Sequence, residues 1–337
     1  MWRLGRYDGG MISLACLAMR TRFEIILADE LPPATLRAAG EEALSEIERV
    51  EKLLSAFSND SELYKINAHA AQRAVKVDAR VFKLLQEAQT LSKQTDGAFD
   101  MTAGALAKCW NLAGMADGSA TTFPSVEAIR GALELCGMQQ NVELNAASQE
   151  VSFVRDGVRL DPGAIGKGWA LDRAADGLRE SGITSALLHG GTSTVYAIGK
   201  PKDGDAWKVA VQDPANTDGR KLASTGRPSS GKLPVILATA NLKDASLSVS
   251  AVHGKSFTIE GKRYGHVLDP RSGYPVQETV LAAVVHPSGT VSDALSTALL
   301  VLGKAGAQGL QKKFPDASYL IAGEDGKVVT WGEAFGK

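Results

Sequence analysis

Residues 159–178 of the chain have the sequence RLDPGAIGKGWALDRAADGL. We interpret this stretch as a short strand that ends at Leu160, a turn at Pro162-Gly163 and a helix that begins near Ile165. Glycines at a helix start let the backbone approach a ligand closely, and free N–H groups there attract anions. Lys167 adds a positive charge where a phosphate would bind. A glycine-rich turn without a ligand is the alternative, because the stretch matches neither the Walker A pattern nor GxGxxG.

Strands and helices intermix along the rest of the chain. Apolar residues at helical spacing predict helices over residues 34–55, 80–93, 125–135, 291–302 and 305–314. Short apolar and β-branched runs predict strands at 151–154, 185–189, 207–211, 235–240 and 279–286, and a hairpin at 256–268. Because strands and helices do not alternate strictly, we expect an α+β fold with mixed or antiparallel sheets packed against helices in one compact domain, residues 1–337. Residues 213–233, rich in Gly, Ser and Pro, are expected to form a loop excursion.

The composition is that of an ordinary globular protein. Of 337 residues, 44% are hydrophobic and 22% are charged, which argues against disordered and fibrous chains. The 37 basic residues balance 38 acidic ones, so we expect no nucleic-acid partner. No apolar run approaches the roughly 18 residues of a membrane span. The three cysteines, Cys16, Cys109 and Cys136, are too few and too scattered for a disulfide framework or a structural zinc site.

The N-terminal residues bear on the cellular compartment. The apolar run at 11–19 contains Cys16 in a context similar to a lipoprotein cleavage site. The residues before it lack the apolar core of about 7–15 residues that a signal peptide needs. We interpret the run as a first core strand that continues to Leu27. We therefore expect a cytoplasmic protein, and a lost lipoprotein leader with a periplasmic location is the alternative.

A second stretch, VSDALSTALLVLG at 291–303, carries oxygen donors at helical spacing. Asp293 and Thr297 are four residues apart, so that on a helix both side chains project from one face. A carboxylate, a hydroxyl and a nearby backbone carbonyl are ligands suited to Mg²⁺, which also bridges phosphates. The alternative for an Asp near a helix start is an N-cap.

Two further stretches contain tight turns. YGHVLDPRSGYP at 264–275 places His266 on a strand that precedes turns. A histidine titrates near neutral pH and can transfer protons, although a lone strand histidine also occurs as a structural residue. HGGTSTVYAIG at 189–199 is interpreted as a Gly-Gly turn that joins two strands.

Taken together, these stretches resemble the ApbE family, the FAD:protein FMN transferases (flavin transferases). The segments that are similar to family motifs follow in the family's order: AMRTRFEIIL at 18–27, LLSAFSNDSELYKIN at 53–67, TDGAFDMTAGAL at 95–106, LDPGAIGKGWALD at 160–172, HVLDPRSGYPV at 266–276 and SDALSTALLVLG at 292–303. The resemblance spans nearly the whole chain and implies an ApbE-like fold.

The resemblance also implies an activity and the residues that perform it. Members of the family cleave the FAD pyrophosphate and transfer FMN to a Thr or Ser hydroxyl of a target protein, releasing AMP. The acceptor is expected to carry a short Asp-x-x-Ser/Thr-Gly-Ala segment. The implied Mg²⁺ ligands are Ala164 (through its carbonyl), Asp293 and Thr297. The implied catalytic residues are His266, as the base for the acceptor hydroxyl, and Lys167. The positions that match the family's FAD contacts are Met19, Phe57, Ala98, Phe99, Asp100, Asp161, Lys167 and Leu268.

The chain departs from the family pattern at three of the matched positions. Thr192 stands where the family usually has Asp, Arg20 where it has Gly, and Phe57 where Tyr is common. These departures concern the acceptor site and the flavin site. Two alternative functions therefore remain beside the transferase: an FAD pyrophosphatase that gives FMN and AMP, and a non-catalytic flavin-binding protein.

Overall fold

The computed structural model describes residues 3–6, 11–112, 123–213, 235–252, 256–259 and 262–336; for 3–6, 256–259 and 262–263 it gives the course of the strands. The helices are α1 Pro33–Leu54, α2 Glu62–His69, α3 Ala79–Gln94, α4 Gly104–Cys109, α5 Val126–Leu133, α6 Met138–Asn141, α7 Gly166–Glu180 and α8 Gly289–Lys313. The strands are β1 Arg3–Arg6, β2 Ile12–Ala18, β3 Thr21–Leu27, β4 Val75–Lys76, β5 Val142–Asn145, β6 Glu150–Phe153, β7 Ala186–Gly190, β8 Thr194–Ile198, β9 Trp207–Gln212, β10 Ile236–Leu242, β11 Ala245–Ala251, β12 Ser256–Ile259, β13 Lys262–Gly265, β14 Thr279–His286, β15 Ser318–Gly323, β16 Val328–Trp331 and β17 Phe335–Gly336.

A nine-stranded sheet organises the fold, in the order β1-β2-β3-β7-β8-β11-β14-β15-β16. Each neighbouring pair in it is antiparallel. Helices α1, α7 and α8 pack against one face, and the three-stranded sheet β17-β10-β9 packs against part of the other. Strand β14 is buried along nearly its whole length because both of its faces are covered. The predicted α+β fold with antiparallel sheets packed against helices is therefore confirmed.

The helix predictions agree closely with the structure. Helix α1 starts at Pro33, where a proline is tolerated because the first-turn N–H groups have no helical acceptor. The two helices predicted at 291–302 and 305–314 lie within α8, which is interrupted at Gly303 by a non-helical backbone with a φ of 64°. Within the described residues, no helix has both the length and the hydropathy that a membrane crossing requires.

Two strand predictions are wrong. The run from 11 to Leu27 forms two strands, β2 and β3, joined by Met19 and Arg20 with φ angles of 49° and 61°. Positive φ at both central residues is typical of a type I′ hairpin turn, which usually contains Asn or Gly, so Met19 and Arg20 carry no turn signal. No strand ends at Leu160, because its N–H and C=O pair with the side-chain amide of Asn67 at 2.8 and 3.0 Å.

The hairpin predicted at 256–268 is shorter than expected. Its strands are β12 and β13, and β13 ends at Gly265, before His266. Of the turn EGKR at its tip, residues 260 and 261 lie outside the described residues, as do residues 214–233 of the predicted loop excursion. The assignment of all 337 residues to one domain stays a prediction.

Candidate active site at a crossing of two helices

The glycine-rich stretch and the Asp293 stretch meet where α7 crosses α8. A Cβ atom built on Gly168 would lie 2.0 Å from the carbonyl oxygen of Gly289, so only glycine permits this contact. We call this contact the α7–α8 crossing. The backbone N–H of Gly168 donates a hydrogen bond of 3.0 Å to Oδ2 of Asp293, whose side chain is 5% exposed. Two segments 125 residues apart in sequence are thereby joined at one carboxylate.

This bond leaves a carbonyl oxygen without its helical donor. In a regular helix the N–H of Gly168 would donate to the carbonyl of the residue four positions earlier, Ala164. Because that N–H donates to Asp293 instead, the Ala164 carbonyl accepts no hydrogen bond from the described residues. Oδ1 of Asp293 likewise accepts none from them. The Ala164 carbonyl and Oδ1 of Asp293 therefore both keep lone pairs that no described residue uses.

Thr297 lies one helical turn beyond Asp293 on α8. Its Oγ1 is 3.1 Å from Oγ of Ser250, on strand β11. A carboxylate, a carbonyl and a hydroxyl form an all-oxygen donor set, which fits Mg²⁺ and would be completed by water and phosphate oxygens. The described residues contain no group of three or more His, Cys, Asp and Glu residues that could hold a metal. The predicted ligands are one Asp carboxylate, one Thr hydroxyl and one backbone carbonyl. The absence of a cluster of three His, Cys, Asp or Glu side chains from the described residues therefore does not test this prediction.

The loop before α7 is held in a fixed conformation by its own polar groups. Asp161 is exposed, and its Oδ1 accepts the N–H of Gly163 at 2.7 Å. The ammonium of Lys167 lies 3.5 Å from the Gly163 carbonyl, a weak contact that leaves the side chain able to reach an anion. The N–H of Asp161 donates to the carbonyl of Met101 at 2.7 Å. This bond joins the loop to the predicted flavin segment at 98–100.

The segment Ala98, Phe99 and Asp100 is buried beside this loop. The Asp100 carboxylate is 7% exposed and accepts hydrogen bonds from Ser92 Oγ at 2.6 Å and from the backbone N–H of Met138 at 2.9 Å. Thr102 donates to it twice, through its hydroxyl and, at 2.8 Å, through its N–H. Both carboxylate oxygens therefore bind protein donors, and the side chain anchors the loop.

Met19 and Phe57 lie near the C-terminal end of α1. The N–H of Met19 donates to Oε1 of Glu51, on the last turns of α1, at 2.7 Å. Phe57 follows the end of α1 and is 73% exposed. Leu54, the last residue of α1, lies 3.5 Å from the position of a Cβ atom on Gly166. The two predicted flavin contacts therefore lie beside the start of α7, and Phe57 offers an uncovered aromatic ring on which a flavin can stack.

His266 and Leu268 lie in the segment that follows β13. A Cβ atom on Gly265 would lie 2.8 Å from Cβ of Val252, which follows Ser250 by two residues. The half-buried His266 is therefore close to the strand that contacts Thr297. Leu268 is buried in a small cluster with Trp110, whose Nε1 donates to the carbonyl of Gly273 at 2.8 Å. This bond fixes the turn that follows His266.

Comparison with known proteins decides the family. A sequence model of the ApbE family matches residues 19–321. The chain belongs to the ApbE family. It is 31% identical over 331 residues to a protein named FAD:protein FMN transferase from Treponema pallidum, with 94% of this chain and 85% of that protein aligned. The predicted family membership is confirmed.

Solved structures of ApbE proteins have the same fold. The ApbE protein of Thermotoga maritima aligns with a TM-score of 0.81 and 28% identity, covering 95% of this chain and 96% of that one. The apo form of the flavinyl transferase ApbE of Pseudomonas stutzeri aligns with a TM-score of 0.75 and 25% identity, covering 98% of this chain and 94% of that one. The prediction of an ApbE-like fold is confirmed by these alignments.

Two of the three departures from the ApbE pattern, Thr192 and Arg20, lie in turns of the nine-stranded sheet. Thr192 is exposed in the turn between β7 and β8, and the N–H of Gly191 beside it donates to the carbonyl of Arg22 at 3.0 Å. Arg20 is exposed at the tip of the β2–β3 hairpin, and Arg22 lies two residues later on β3. Thr192 and Arg20 therefore belong to adjacent turns, and neither lies in the α7–α8 crossing.

One ApbE residue that shapes the site was not singled out by the sequence analysis. Asp172 on α7 is half-buried and accepts hydrogen bonds at the start of α8, from Ser288 Oγ at 2.9 Å and from Thr290 N–H and Oγ1 at 2.8 and 2.7 Å. Burial raises the pKa of its carboxyl, and these hydrogen bonds oppose the rise. The sequence did contain a signal for this role of Asp172. It lies four residues after Gly168, which places both residues on the α7 face that meets α8.

Proposed function

We propose that this chain is an Mg²⁺-dependent FAD:protein FMN transferase, which transfers FMN from FAD to a Thr or Ser hydroxyl of a target protein and releases AMP. Its membership of the ApbE family and the name of its Treponema pallidum relative support this proposal. The observation that carries it is the hydrogen bond from Gly168 to Asp293, which leaves the Ala164 carbonyl and Oδ1 of Asp293 without a donor among the described residues at the start of α7.

The predicted residues divide into three roles. Asp293, Thr297 and the Ala164 carbonyl would hold Mg²⁺, which supplies charge stabilisation at the pyrophosphate when it is bound. Lys167, through its ammonium and its backbone N–H at the start of α7, binds the phosphate oxygens and stabilises the negative charge that develops during displacement at phosphorus. Phe57 stacks on the flavin and Met19 contacts it, so that the FMN half is held at the end of α1.

The acceptor hydroxyl needs a base because it is a weak nucleophile. His266 takes the proton of the Thr or Ser hydroxyl as the oxygen attacks the FMN phosphorus. The bond from this phosphorus to the bridging oxygen of the pyrophosphate breaks, and AMP leaves with that oxygen. A positioned base contributes about 10²–10⁴-fold to such a step. Ala98, Phe99 and Asp161 shape the surface against which FAD lies, and Leu268 supports the turn after His266. Asp100 serves this surface by anchoring its loop.

The test is a mass measurement on an acceptor protein. The purified chain is incubated with FAD, Mg²⁺ and a protein that exposes an Asp-x-x-Ser/Thr-Gly-Ala segment. We expect the acceptor to gain the mass of one FMN while AMP is released, and we expect EDTA to abolish both. The matched control is the same acceptor with its Ser or Thr replaced by Ala, which should gain nothing.

Two results would contradict the proposal and identify its alternatives. Release of AMP and free FMN with no labelled acceptor would establish an FAD pyrophosphatase. Tight binding of FAD that remains intact in the presence of Mg²⁺ and acceptor would establish a non-catalytic flavin-binding protein.

A further inference from the structure

A row of hydroxyl groups connects strand β11 with α8 next to the proposed metal ligands. Oγ of Ser250 lies 2.8 Å from Oγ of Ser296 and 3.1 Å from Oγ1 of Thr297. Oγ of Ser296 in turn lies 2.9 Å from the backbone carbonyl oxygen of Asp293. The three hydroxyls therefore form one chain of hydrogen bonds that ends on the backbone of a proposed ligand.

The direction of each hydrogen bond in this chain follows from counting protons. A hydroxyl has one proton to donate, and a carbonyl oxygen can only accept. Ser296 must therefore donate to the Asp293 carbonyl, which leaves its oxygen able only to accept from Ser250. Ser250 has then used its proton, so it must accept the proton of Thr297.

The consequence concerns the lone pairs of Thr297. Its proton is directed to Ser250, so the lone pairs of its oxygen stay available to a cation. A hydroxyl binds a cation through its lone pairs, and a proton that points at the cation prevents this. The chain of hydrogen bonds thus presets the Thr297 hydroxyl as a ligand before any cation arrives.

We propose that Ser250 is a positioning residue for the Mg²⁺ site, which fixes the Thr297 hydroxyl as an acceptor toward the cation through the relay Thr297–Ser250–Ser296–Asp293. The inference rests on the proposed function, because it assigns a task to Ser250 only if Thr297 is a ligand. Partners of this kind orient metal ligands in many proteins, and their loss typically weakens metal binding by about 10–100-fold.

Ser248 provides a matched control. It lies on the same strand two residues earlier, so its side chain projects toward the same helix. It is fully buried, and its Oγ bonds to Oγ of Ser292 at 2.9 Å, not to a proposed ligand. Ser250→Ala and Ser248→Ala therefore remove the same group from the same strand, and only the first interrupts the relay.

The experiment measures Mg²⁺ binding directly, by calorimetric titration into protein saturated with FAD and without acceptor. We expect Ser250→Ala to raise the Kd for Mg²⁺ about 10-fold or more, while Ser248→Ala changes it by less than about twofold. Ser250→Thr keeps the hydroxyl and should restore Mg²⁺ binding. Ser296→Ala frees the Ser250 proton to turn toward Thr297, and should weaken Mg²⁺ binding less than Ser250→Ala does.

Several outcomes would overturn the inference. An unchanged Kd in Ser250→Ala, or an equal loss in Ser248→Ala, would show that Ser250 does not position Thr297. Melting temperatures of all variants in EDTA separate folding from metal binding, since a merely structural role lowers the melting temperature and leaves the Kd unchanged. A wild-type chain that binds no Mg²⁺ would overturn the proposed function as well, whereas wild-type binding with an unaffected Ser250→Ala overturns the relay alone.

Discussion

Two buried carboxylates, Asp100 among the predicted FAD contacts and Asp293 among the predicted Mg²⁺ ligands, have opposite surroundings. Asp100, in the loop after α3, is 7% exposed and accepts four hydrogen bonds that occupy both of its oxygens. Asp293, at the α7–α8 crossing, is 5% exposed and accepts one hydrogen bond on one oxygen. Equal burial thus accompanies two tasks: the first carboxylate holds a loop, and the second keeps an oxygen for a ligand.

The largest effect should come from removing the charge of Asp293. In Asp293→Asn the amide carbonyl still accepts the N–H of Gly168, so the α7–α8 crossing is retained. The charge that attracts Mg²⁺ is lost, and we expect FMN transfer to fall by about 10²–10³-fold with a matching loss of Mg²⁺ affinity. The measurements are single-turnover labelling of an acceptor and calorimetric Mg²⁺ titration.

The control for this variant is its melting temperature in EDTA, which should stay close to that of the wild type. If Asp293→Asn instead unfolded like a core mutant while the folded protein kept its Mg²⁺ affinity, Asp293 would be an anchor like Asp100. The contrast between the two carboxylates would then be wrong.

The second prediction concerns Asp100, whose removal should lower the stability of the protein and leave its Mg²⁺ affinity unchanged. Asp100→Ala leaves the hydroxyl and N–H of Thr102 and the N–H of Met138 without this acceptor, and each unsatisfied buried group costs about 1–3 kcal/mol. We expect the free energy of unfolding to fall by about 3–5 kcal/mol, because three such donors lose their acceptor. Guanidinium unfolding measures the loss, and the Mg²⁺ affinity of the protein that remains folded should not change.

Asp100→Asn is the matched variant, because it keeps one acceptor oxygen and should lose less stability than Asp100→Ala. A stable Asp100→Ala protein with weakened FAD binding would show that the carboxylate contacts the ligand after all, as the family resemblance alone implied.

The difference between these carboxylates could not be predicted from the sequence, because it depends on donors that are distant along the chain. Asp100 is 38 residues from Met138, and Asp293 is 125 residues from Gly168. Local spacing did place Asp293 and Thr297 on one face of a helix, since four residues make about one turn. It could not show which carboxylate oxygens would remain free.

Similar reasoning accounts for what else was predicted and missed. Apolar periodicity located α1, α3 and α8 because their buried faces repeat along one element. The hairpin turn at Met19 and Arg20 was missed because neither residue type favours positive φ. The extended segment at Leu160 was assigned to a strand because Asn67, its true partner, is 93 residues away and pairs through a side chain.

A third carboxylate, that of the half-buried Asp172, gives the smallest expected effect and tests how desolvation and hydrogen bonds together set its pKa. It accepts hydrogen bonds from Ser288, Gly289 and Thr290, as Asp100 does from its own donors. Burial nevertheless raises its pKa above the ordinary value of 3.8, because the cost of desolvating the charge exceeds the stabilisation by these donors.

The sign of the resulting pH dependence follows from linkage. A carboxyl whose pKa is higher in the folded state than in the unfolded chain loses its proton less readily when folded. Its contribution to stability is therefore complete below pH 3.8 and is lost as the pH rises through the folded pKa.

The variant Asp172→Asn does not titrate, so the difference in unfolding free energy, wild type minus variant, should decrease as the pH rises from 3.8 through the folded pKa. Denaturant unfolding of both proteins in EDTA, at a series of pH values, measures it without a contribution from Mg²⁺. A difference that grows with pH would mean that the donors at the start of α8 outweigh desolvation, and Asp172 would then hold α8 in place as a charged anchor.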